Sequence, residues 1–254
     1  MGVVNVTPDS FSDGGRFEDA EAALAHAHRL MEEGADILDI GGESTRPGAA
    51  PVPVAEELRR VLPVVRQLRD VPVSVDTRRP EVMRAVIDMG ASMINDVEAL
   101  AAPGATDTLA SSECAVCLMH KKGDPATMQR DPHYDDVVRE VISFLKERMS
   151  AVMGAGIAQD RIVLDPGFGF GKTLQHNMEL LRNLSELAAL GRPVLAGWSR
   201  KSSLGKITGR PADERLPASL AMALLSLQSG ATILRVHDVK ETKDVVEVWK
   251  AFKR

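Results

Sequence analysis

The sequence has only two cysteines, no excess of positive charge and no long uninterrupted apolar run. Cys114 and Cys117 have C-x-x-C spacing, but residues 115–119 are apolar and predict a strand. Residues three apart on a strand point to opposite faces, whereas a redox-active pair has this spacing at the start of a helix, where the thiol pKa is lowered. We therefore predict two buried, reduced cysteines.

Charge and hydropathy exclude two further classes of protein. Acidic residues outnumber basic residues by 36 to 31, so the broad positive field of a nucleic-acid-binding protein is lacking. The most apolar segment, 216–234, is interrupted by polar residues and by Pro217, and no run reaches the roughly 18–20 residues of a membrane span. No basic segment precedes an apolar one near the N-terminus, so no signal peptide is predicted. We expect a cytoplasmic protein without nucleic-acid or membrane partners.

No linker or low-complexity segment divides the 254 residues. We therefore expect one domain over residues 1–254, a length that a single α/β barrel commonly uses.

Short apolar segments alternate with amphipathic segments along the whole chain. Such segments are typical of parallel strands that helices cover on both faces. The predicted strands are 3–6, 37–40, 73–75, 93–95, 115–119, 162–164, 194–196 and 233–236. Helical periodicity is clearest in 20–31, 58–68, 138–152, 180–187 and 245–252, with shorter helices near 80–88 and 104–112.

Eight strands that alternate with helices predict a (β/α)8 TIM barrel. A doubly wound open sheet is the alternative, and the barrel is favoured because no segment interrupts the alternation. The apolar helix at 217–227 is equally consistent with core packing and with a surface that covers a partner subunit.

Polar residues follow nearly every predicted strand, at the end where a barrel of this kind has its active site. The candidates are Asn5, Glu43 to Arg46, Asp76, Asn95, Asp96, His120, Asp165, Ser199 to Lys201, Arg235 and His237. Arg235 and His237 share a face, and so do Ser199 and Lys201 if their strand continues that far. Polar strand ends also occur simply because they meet solvent, but a ring mixing carboxylates, amides and cations favours a binding site.

The residue types divide the predicted site into two parts. Asp76, Asn95, Asp165, Lys201 and Arg235 suit a flat nitrogen heterocycle with alternating donors and acceptors, and Arg235 offers a stacking surface. The second part, with few negative charges, suits a phosphate group and Mg²⁺. It comprises Asn5, Ser44, Thr45, Arg46 and His237.

Two loops, 7–15 and 41–48, are rich in turn-forming residues and hydroxyls, and we expect them to close over the site. Residues 167–173 resemble a phosphate-binding loop, but the G-x-x-x-x-G-K-S/T spacing fails because Pro166 takes the place of the first glycine. These glycines instead predict a turn after the sixth strand or a close approach of the backbone to a ligand.

Seven motifs in order along the chain resemble the dihydropteroate synthase family. They are 1–15 (MGVVNVTPDSFSDGG), 41–48 (GGESTRPG), 74–77 (SVDT), 94–97 (INDV), 164–172 (LDPGFGFGK), 197–202 (GWSRKS) and 235–239 (RVHDV). The resemblance implies a (β/α)8 barrel that joins 6-hydroxymethyl-7,8-dihydropterin diphosphate to p-aminobenzoate in folate biosynthesis. It also implies Mg²⁺, a homodimer and a pocket that sulfonamides occupy.

The resemblance assigns a role to each matching residue. It implies pterin contacts at Asp76, Asn95, Met119, Asp165, Lys201 and Arg235. It implies diphosphate contacts at Asn5, Thr45, Arg46, Arg235 and His237, with Asn5 as the Mg²⁺ ligand. It implies p-aminobenzoate contacts at Thr45, Pro47, Phe170, Lys201 and Ser202. Relatives often have Met-Gln where this chain has Lys121-Lys122, so the contacts of that loop stay open.

The implied reaction is a dissociative displacement in which pyrophosphate leaves before the arylamine attacks. The residues that carry it are Asp76, Asp165, Lys201, Arg235 and His237, with Arg46 and Mg²⁺ at the leaving group. Two alternatives are a corrinoid-dependent methyltetrahydrofolate methyltransferase, which does not need the two diphosphate loops, and a non-catalytic pterin-binding homologue. The intact loop motifs and Lys201 argue against both.

Overall fold

The computed structural model of the protein describes residues 1–6, 18–44, 51–124 and 127–253. Within these residues eight strands alternate with helices, and each predicted strand is present with bounds that differ by two residues or fewer. The strands are β1 Gly2–Asn5, β2 Leu38–Gly41, β3 Val73–Asp76, β4 Met93–Asp96, β5 Ala115–Met119, β6 Ile162–Asp165, β7 Leu195–Ala196 and β8 Ile233–Leu234. The α-helices are α1 Glu18–Glu32, α2 Val54–Gln67, α3 Pro80–Asp88, α4 Ala105–Ala110, α5 Val137–Gly154, α6 Leu174–Arg182, α7 Leu184–Ala188, α8 Ser202–Thr208, α9 Leu216–Gln228 and α10 Val239–Lys253.

The strands are parallel and follow the order of the chain around a ring. Strands β1 to β6 form one sheet, and β7 pairs with β8. Single bridges join these two sheets at both edges, Leu164 with Val194 and Gly2 with Val236. At the second junction the Val3 amide donates to the Val236 carbonyl at 3.0 Å. The eight-stranded ring of the predicted barrel is thus completed, and the open-sheet alternative is wrong.

Alternation of side chains along the strands produces two apolar layers. Met93, Cys117, Val163 and Leu195 pack against one another inside the ring. The other set of strand residues, such as Leu38 and Ile40, joins the helices in a continuous outer core. Cys114 belongs to the outer core, so the two cysteines lie on opposite sides of the barrel wall, and both are buried free thiols as predicted.

Two expectations about local structure are wrong. The single helix predicted around 180–187 is instead two helices, α6 and α7, which are separated at Asn183. Helix α8 begins directly after Lys201. Strand β7 ends at Ala196, so Ser199 and Lys201 do not continue it. Arg200 has a positive φ of 58°, which breaks the strand alternation, and Lys201 stands at the N-cap of α8.

Helices α9 and α10 pack against each other and present apolar side chains on both sides. The inner face of α9 buries Met222 and Ala223, whereas Leu225 is exposed. On α10, Val248 and Phe252 are 66% and 76% exposed. The sequence left core packing and a partner surface open for 217–227, and the structure shows a buried face with an apolar residue exposed beside it. Among the described residues, no helix is long and apolar enough to cross a membrane.

Candidate active site

The first four strands bring their last inward-facing residues into one row. The strand register pairs Asn5 with Gly41, Gly41 with Asp76, and Asp76 with Asn95. These residues lie at the carboxyl end of the barrel, because parallel strands all end at the same edge. Three predicted site residues that are 19 to 90 positions apart along the chain, Asn5, Asp76 and Asn95, therefore lie in one row.

Arg235 crosses the barrel interior and is held by two carboxylates. Its Nε donates to Asp39 Oδ2 at 2.6 Å, and its Nη2 donates to Asp76 Oδ2 at 2.9 Å. Asn95 Nδ2 donates to the same Asp39 oxygen at 3.2 Å. Two contacts from different strands fix the plane of the guanidinium, which is the condition for using that plane as a stacking surface.

Beside this network, three polar atoms are buried without a hydrogen-bond partner among the described residues. They are Asp39 Oδ1, Asn95 Oδ1 and Ser74 Oγ. Buried polar atoms of folded proteins normally have partners, so an uncompensated group points to a ligand or an ordered water. A heterocycle that presents N–H donors supplies what the amide and carboxylate oxygens lack.

Asp165 and Lys201 face the same interior from the other side. Asp165 ends β6 beside Met119 in the register, and its Oδ1 accepts the Gly167 amide at 2.7 Å. Lys201 Nζ donates to the Phe168 carbonyl and lies 4.7 Å from the centre of the Phe170 ring. The predicted pterin residues are thus placed around one interior, and Phe170 and Lys201 adjoin each other as predicted for the aryl pocket.

Burial shifts the pKa values of Asp76, Asp165 and Lys201, because nearby opposite charges offset only part of the cost of desolvation. Desolvation raises the pKa of Asp76 to about 7, although the charge of Arg235 acts in the opposite direction. Desolvation also raises the pKa of Asp165, and it lowers that of Lys201 to about 8, with the attraction between these two groups opposing both shifts. Perturbed groups that converge in one interior are typical of functional sites.

His237 is oriented by Ser199. The Ser199 hydroxyl oxygen accepts the His237 backbone N–H at 3.1 Å and lies 2.9 Å from the ring Nδ1. The serine hydroxyl therefore fixes the orientation of the imidazole ring.

The turn between β6 and α6 adopts positive φ at its three glycines, Gly167, Gly169 and Gly171. A Cβ added to Gly167 would lie 1.9 Å from the His120 carbonyl oxygen, and one added to Gly171 would lie 2.1 Å from the Lys122 carbonyl oxygen. The glycines therefore allow this turn to pack directly on the backbone that follows β5. The predicted turn is confirmed, and the close contacts of Gly167 and Gly171 are with protein backbone.

Two residues that we expected in the polar ring have structural contacts instead. Asp96 is buried and accepts the amides of Glu98 and Leu100, both at 2.8 Å, which anchors the loop after β4. His120 packs edge-on against Phe144 and lies 3.0 Å from Lys172 Nζ. Both side chains are occupied by the protein itself.

Lys121 and Lys122, whose contacts the sequence left open, form ion pairs. Lys121 Nζ lies 2.8 Å from Glu98 Oε1, which also accepts from Arg78 Nη1 at 3.1 Å. Lys122 Nζ lies 3.0 Å from Glu140 Oε2 and donates to a backbone carbonyl at 2.7 Å. The ion pairs of Lys121 with Glu98 and of Glu98 with Arg78 therefore connect the loops after β3, β4 and β5 at the rim of the barrel.

Part of the predicted site lies outside the described residues. This part comprises Thr45, Arg46 and Pro47, the whole of loop 7–15 and residues 45–48 of loop 41–48. The expected closure of the two loops over the site therefore stays a prediction. Ser202 is described and is exposed as the first residue of α8.

The sequence analysis missed Asp39, which is fully buried. It lies in a segment that we treated as a continuous apolar strand. Its position between the outward-facing Leu38 and Ile40, two residues before Gly41, places it inside the barrel by strand alternation alone. The strand alternation could therefore have identified Asp39 as an interior residue from the sequence.

Comparison with known proteins confirms the resemblance drawn from the motifs. The chain matches the pterin-binding enzyme family over residues 1–237. It is 48% identical over 254 residues to the dihydropteroate synthase of Haemophilus influenzae, with 99% of this chain and 92% of that protein covered. Two structures of Xanthomonas albilineans dihydropteroate synthase are similar over 100% of this chain and 92% of theirs. One, with 4-aminobenzoic acid, has a TM-score of 0.95 at 57% identity, and the other, with 7,8-dihydropteroate, has 0.91 at 54%. The chain therefore belongs to the dihydropteroate synthase family of pterin-binding enzymes.

Proposed function

We propose that this protein condenses 6-hydroxymethyl-7,8-dihydropterin diphosphate with p-aminobenzoate, forming 7,8-dihydropteroate and pyrophosphate. The observation that carries the proposal is the buried network of Asp39, Asp76, Asn95 and Arg235, which faces Asp165 and Lys201 across the mouth of the barrel. Solved relatives contain 4-aminobenzoic acid or 7,8-dihydropteroate, which are the second substrate and the product of this reaction.

The pterin ring is proposed to bind inside the barrel, between the buried network around Arg235 and the side chains of Asp165 and Lys201. Carboxylate and amide oxygens of Asp76, Asn95 and Asp165 accept its N–H donors, and Lys201 donates to its acceptors. The guanidinium plane of Arg235, held by two carboxylates, stacks on the ring, and Met119 supplies an apolar contact. The uncompensated oxygen of Asn95 supports this placement.

The diphosphate is proposed to lie towards β1, β2 and β8, in contact with Asn5, Arg235 and His237, and with Thr45 and Arg46. An amide oxygen from Asn5 fits Mg²⁺, which takes one or two protein oxygens and fills its remaining positions with phosphate and water. The neighbouring Gly41 leaves that oxygen accessible, since a Cβ there would stand 3.7 Å from Asn5 Oδ1. When bound, Mg²⁺ neutralises charge that develops on the departing phosphate oxygens.

The p-aminobenzoate ring is proposed to bind beside the turn between β6 and α6. Phe170 and Lys201, which contact each other there, form one wall, with Ser202 at the start of α8. Thr45 and Pro47 complete the pocket. This arrangement places the arylamine next to the pterin methylene carbon, and such proximity supplies much of the rate acceleration.

The chemical step is a dissociative displacement. The bond between the methylene carbon and the diphosphate oxygen breaks, and its electron pair leaves with pyrophosphate. Arg235, His237 and Arg46 stabilise the departing charge, while the carboxylates of Asp76 and Asp165 offset the cation that remains on the pterin. The amine nitrogen then forms the new bond to carbon and releases a proton. An arylamine is neutral at pH 7, so this attack needs no strong general base.

We further propose a cytoplasmic homodimer in which residues 1–254 act as one domain. The apolar side chains that α9 and α10 leave exposed, Leu225, Val248 and Phe252, support a subunit interface. Sedimentation at several concentrations tests it, since Val248→Asp should shift the protein towards monomer.

The activity is tested by mixing the purified protein with the pterin diphosphate, p-aminobenzoate and Mg²⁺ while following pyrophosphate release and dihydropteroate formation. Both products should form in equal amounts, and chelation of the metal should stop the reaction. Omitting p-aminobenzoate should abolish dihydropteroate. Absence of any product in the complete mixture would overturn the proposal and favour a protein that only binds pterins.

A further inference from the structure

The lysine of the glycine-rich motif 167–173 has no part in the proposed reaction, yet it is almost completely buried. Lys172 is 3% exposed. Its Nζ lies 3.0 Å from His120 Nδ1, 2.9 Å from the Gly167 carbonyl oxygen, 3.1 Å from that of Phe170 and 3.3 Å from that of His120. We call Lys172 and these four acceptor atoms the Lys172 cage.

The donors and acceptors of the Lys172 cage fix its hydrogen bonds. Carbonyl oxygens only accept, so Lys172 donates to them, and the three protons of its ammonium group are shared among the four acceptor atoms. His120 Nδ1 must then also accept, which requires the neutral imidazole. Burial and the charge of Lys172 lower the pKa of His120 to about 3, in agreement with that requirement. Burial lowers the pKa of Lys172 well below its ordinary value, and the negative charge of Asp165, which favours the protonated lysine, opposes that shift.

The Lys172 cage lies at the centre of the turn between β6 and α6, and other buried groups bind the same turn from outside. Asn177, which is fully buried, accepts the Gly169 amide at 2.7 Å. The Tyr134 hydroxyl donates to the Gly171 carbonyl at 2.9 Å. Tyr134 satisfies one backbone atom, and Asn177 joins Gly169 to the carbonyls of Lys172 and Thr173 at the start of α6. Lys172, by contrast, joins both ends of the segment 167–170 and ties them to the end of β5.

The residue that this arrangement positions most directly is Phe170. Its carbonyl belongs to the Lys172 cage, and its ring lies under Lys201 Nζ at 4.7 Å. On the pterin side, Asp39 accepts from Asn95 and Arg235, and Arg235 also donates to Asp76, through contacts that do not involve this turn. Asp165 and Lys201 contact the turn through the Gly167 amide and the Phe168 carbonyl, neither of which is an acceptor of Lys172. Loss of the Lys172 cage should therefore affect one half of the site more than the other.

We propose that Lys172 is a positioning residue for the p-aminobenzoate pocket. Its ammonium group takes the place of a bound cation inside the turn, and it holds Phe170 where the aryl substrate binds. This inference rests on the proposed function.

The test compares Lys172→Met with the wild-type enzyme. We expect the KM for p-aminobenzoate to rise by about tenfold, while the affinity for the pterin substrate changes by less than about threefold. Amides of residues 167–171 should exchange hydrogen faster in the variant, because the turn loses its central donor. In a Phe170→Ala background the same substitution should raise KM by less than about threefold, since contacts that act through one another are not additive.

Arg161→Met is the matched control. Arg161 is also a cation that donates to backbone carbonyls, those of Leu109 and Cys114, but it precedes β6 at the opposite end of the barrel. It should lower stability without raising the KM for p-aminobenzoate. If Lys172→Met does not fold, Lys172→Gln keeps two N–H donors and should give an intermediate rise in KM.

An unchanged KM for p-aminobenzoate in a folded Lys172 variant would overturn the proposal, as would equal losses of affinity for both substrates. The proposal would also be overturned if Lys172→Met raised the KM for p-aminobenzoate in the Phe170→Ala background by the same factor as in the wild-type enzyme. If the wild-type protein formed no dihydropteroate, the proposed function would fail. Hydrogen exchange would still decide separately whether Lys172 holds the turn.

Discussion

Asp39 and Arg235 form an ion pair inside the barrel, with Arg235 Nε 2.6 Å from Asp39 Oδ2. They are 196 residues apart along the chain, Asp39 on β2 and Arg235 directly after β8. The same carboxylate oxygen accepts from Asn95, so one buried group orients two residues of the proposed pterin site. Asp39 therefore supports the site from the layer below it.

Replacing Asp39 with Asn should destabilise the protein and weaken pterin binding together. The substitution removes the charge that compensates a buried guanidinium, and breaking such a pair costs on the order of 3 kcal/mol. Arg235 and Asn95 also lose their common anchor, so we expect pterin affinity to fall by at least about tenfold, or roughly 1.4 kcal/mol. Chemical unfolding and direct titration with a pterin measure the two effects.

The control is Asp36→Asn, in the same part of the chain. Asp36 is 78% exposed in its ion pair with Lys243, so its loss should change stability by less than about 1 kcal/mol. Pterin affinity should not change. Equal effects of the two substitutions would contradict the role given to Asp39.

The fold was predictable because its strands are buried on both faces. Segments such as 115–119 and 162–164 are continuously apolar, which distinguishes them from the amphipathic helices. The alternation of such segments with helices along the chain then predicts the barrel. Boundaries were less accurate where local backbone decides. Strand β7 ends at Ala196, a turn with a positive φ at Arg200 precedes Lys201, and no apolar periodicity signals either event.

The site was predictable to the extent that it consists of polar residues at strand ends. Asp76, Asn95 and Asp165 follow directly from that rule. Asp39 and Lys172 did not, because each contacts other protein groups within the barrel wall or a turn rather than lying at a strand end. Residues whose role is to hold other residues can be recognised only when their partners are known.

Pterin affinity should increase as the pH rises through 7. Burial raises the pKa of Asp76 from its ordinary value of 3.8 to about 7. The folded protein without ligand thus binds a proton that the unfolded chain releases, and its stability should fall as the pH rises between these two values. The pterin N–H donors require the carboxylate form, so binding below pH 7 must release that proton.

Calorimetry of pterin binding in buffers of different ionisation enthalpy measures this proton release. Asp76→Asn should bind the pterin weakly and without the pH dependence near 7. The same dependence in the variant would assign the titration to another group, and Asp165, whose pKa burial also raises, is the first to examine.

Ser199→Ala should slow the reaction through His237. The serine oxygen accepts the His237 backbone N–H and lies 2.9 Å from Nδ1, so its own proton favours the ring form that carries hydrogen on Nε2. Without that constraint we expect kcat to fall by about tenfold with little change in either KM, because the histidine stabilises charge that develops only in the transition state. Steady-state pyrophosphate release measures this effect.

Two variants make the result for Ser199 specific. In a His237→Asn background, Ser199→Ala should have almost no further effect on kcat. Ser226→Ala removes a buried hydroxyl that donates to the Met222 carbonyl at 2.7 Å, and it should leave kcat unchanged. An undiminished effect of Ser199→Ala in the absence of His237 would show that the serine acts elsewhere.

Asn5 and Asn95 stand in the same row of the barrel, and their substitutions should have separable effects. Asn5→Ala should raise the Mg²⁺ concentration needed for half-maximal pyrophosphate release by about tenfold, since it removes a protein oxygen proposed as a ligand of the ion. Asn95→Ala should instead weaken pterin binding and leave the Mg²⁺ requirement unchanged, because its amide lies between Asp76 and Asp39 within the buried network. Metal titrations of both variants at saturating substrate make the comparison. If the two variants showed the same metal dependence, Asn5 would belong to the pterin contacts, and the division of this row into a phosphate part and a heterocycle part would be wrong.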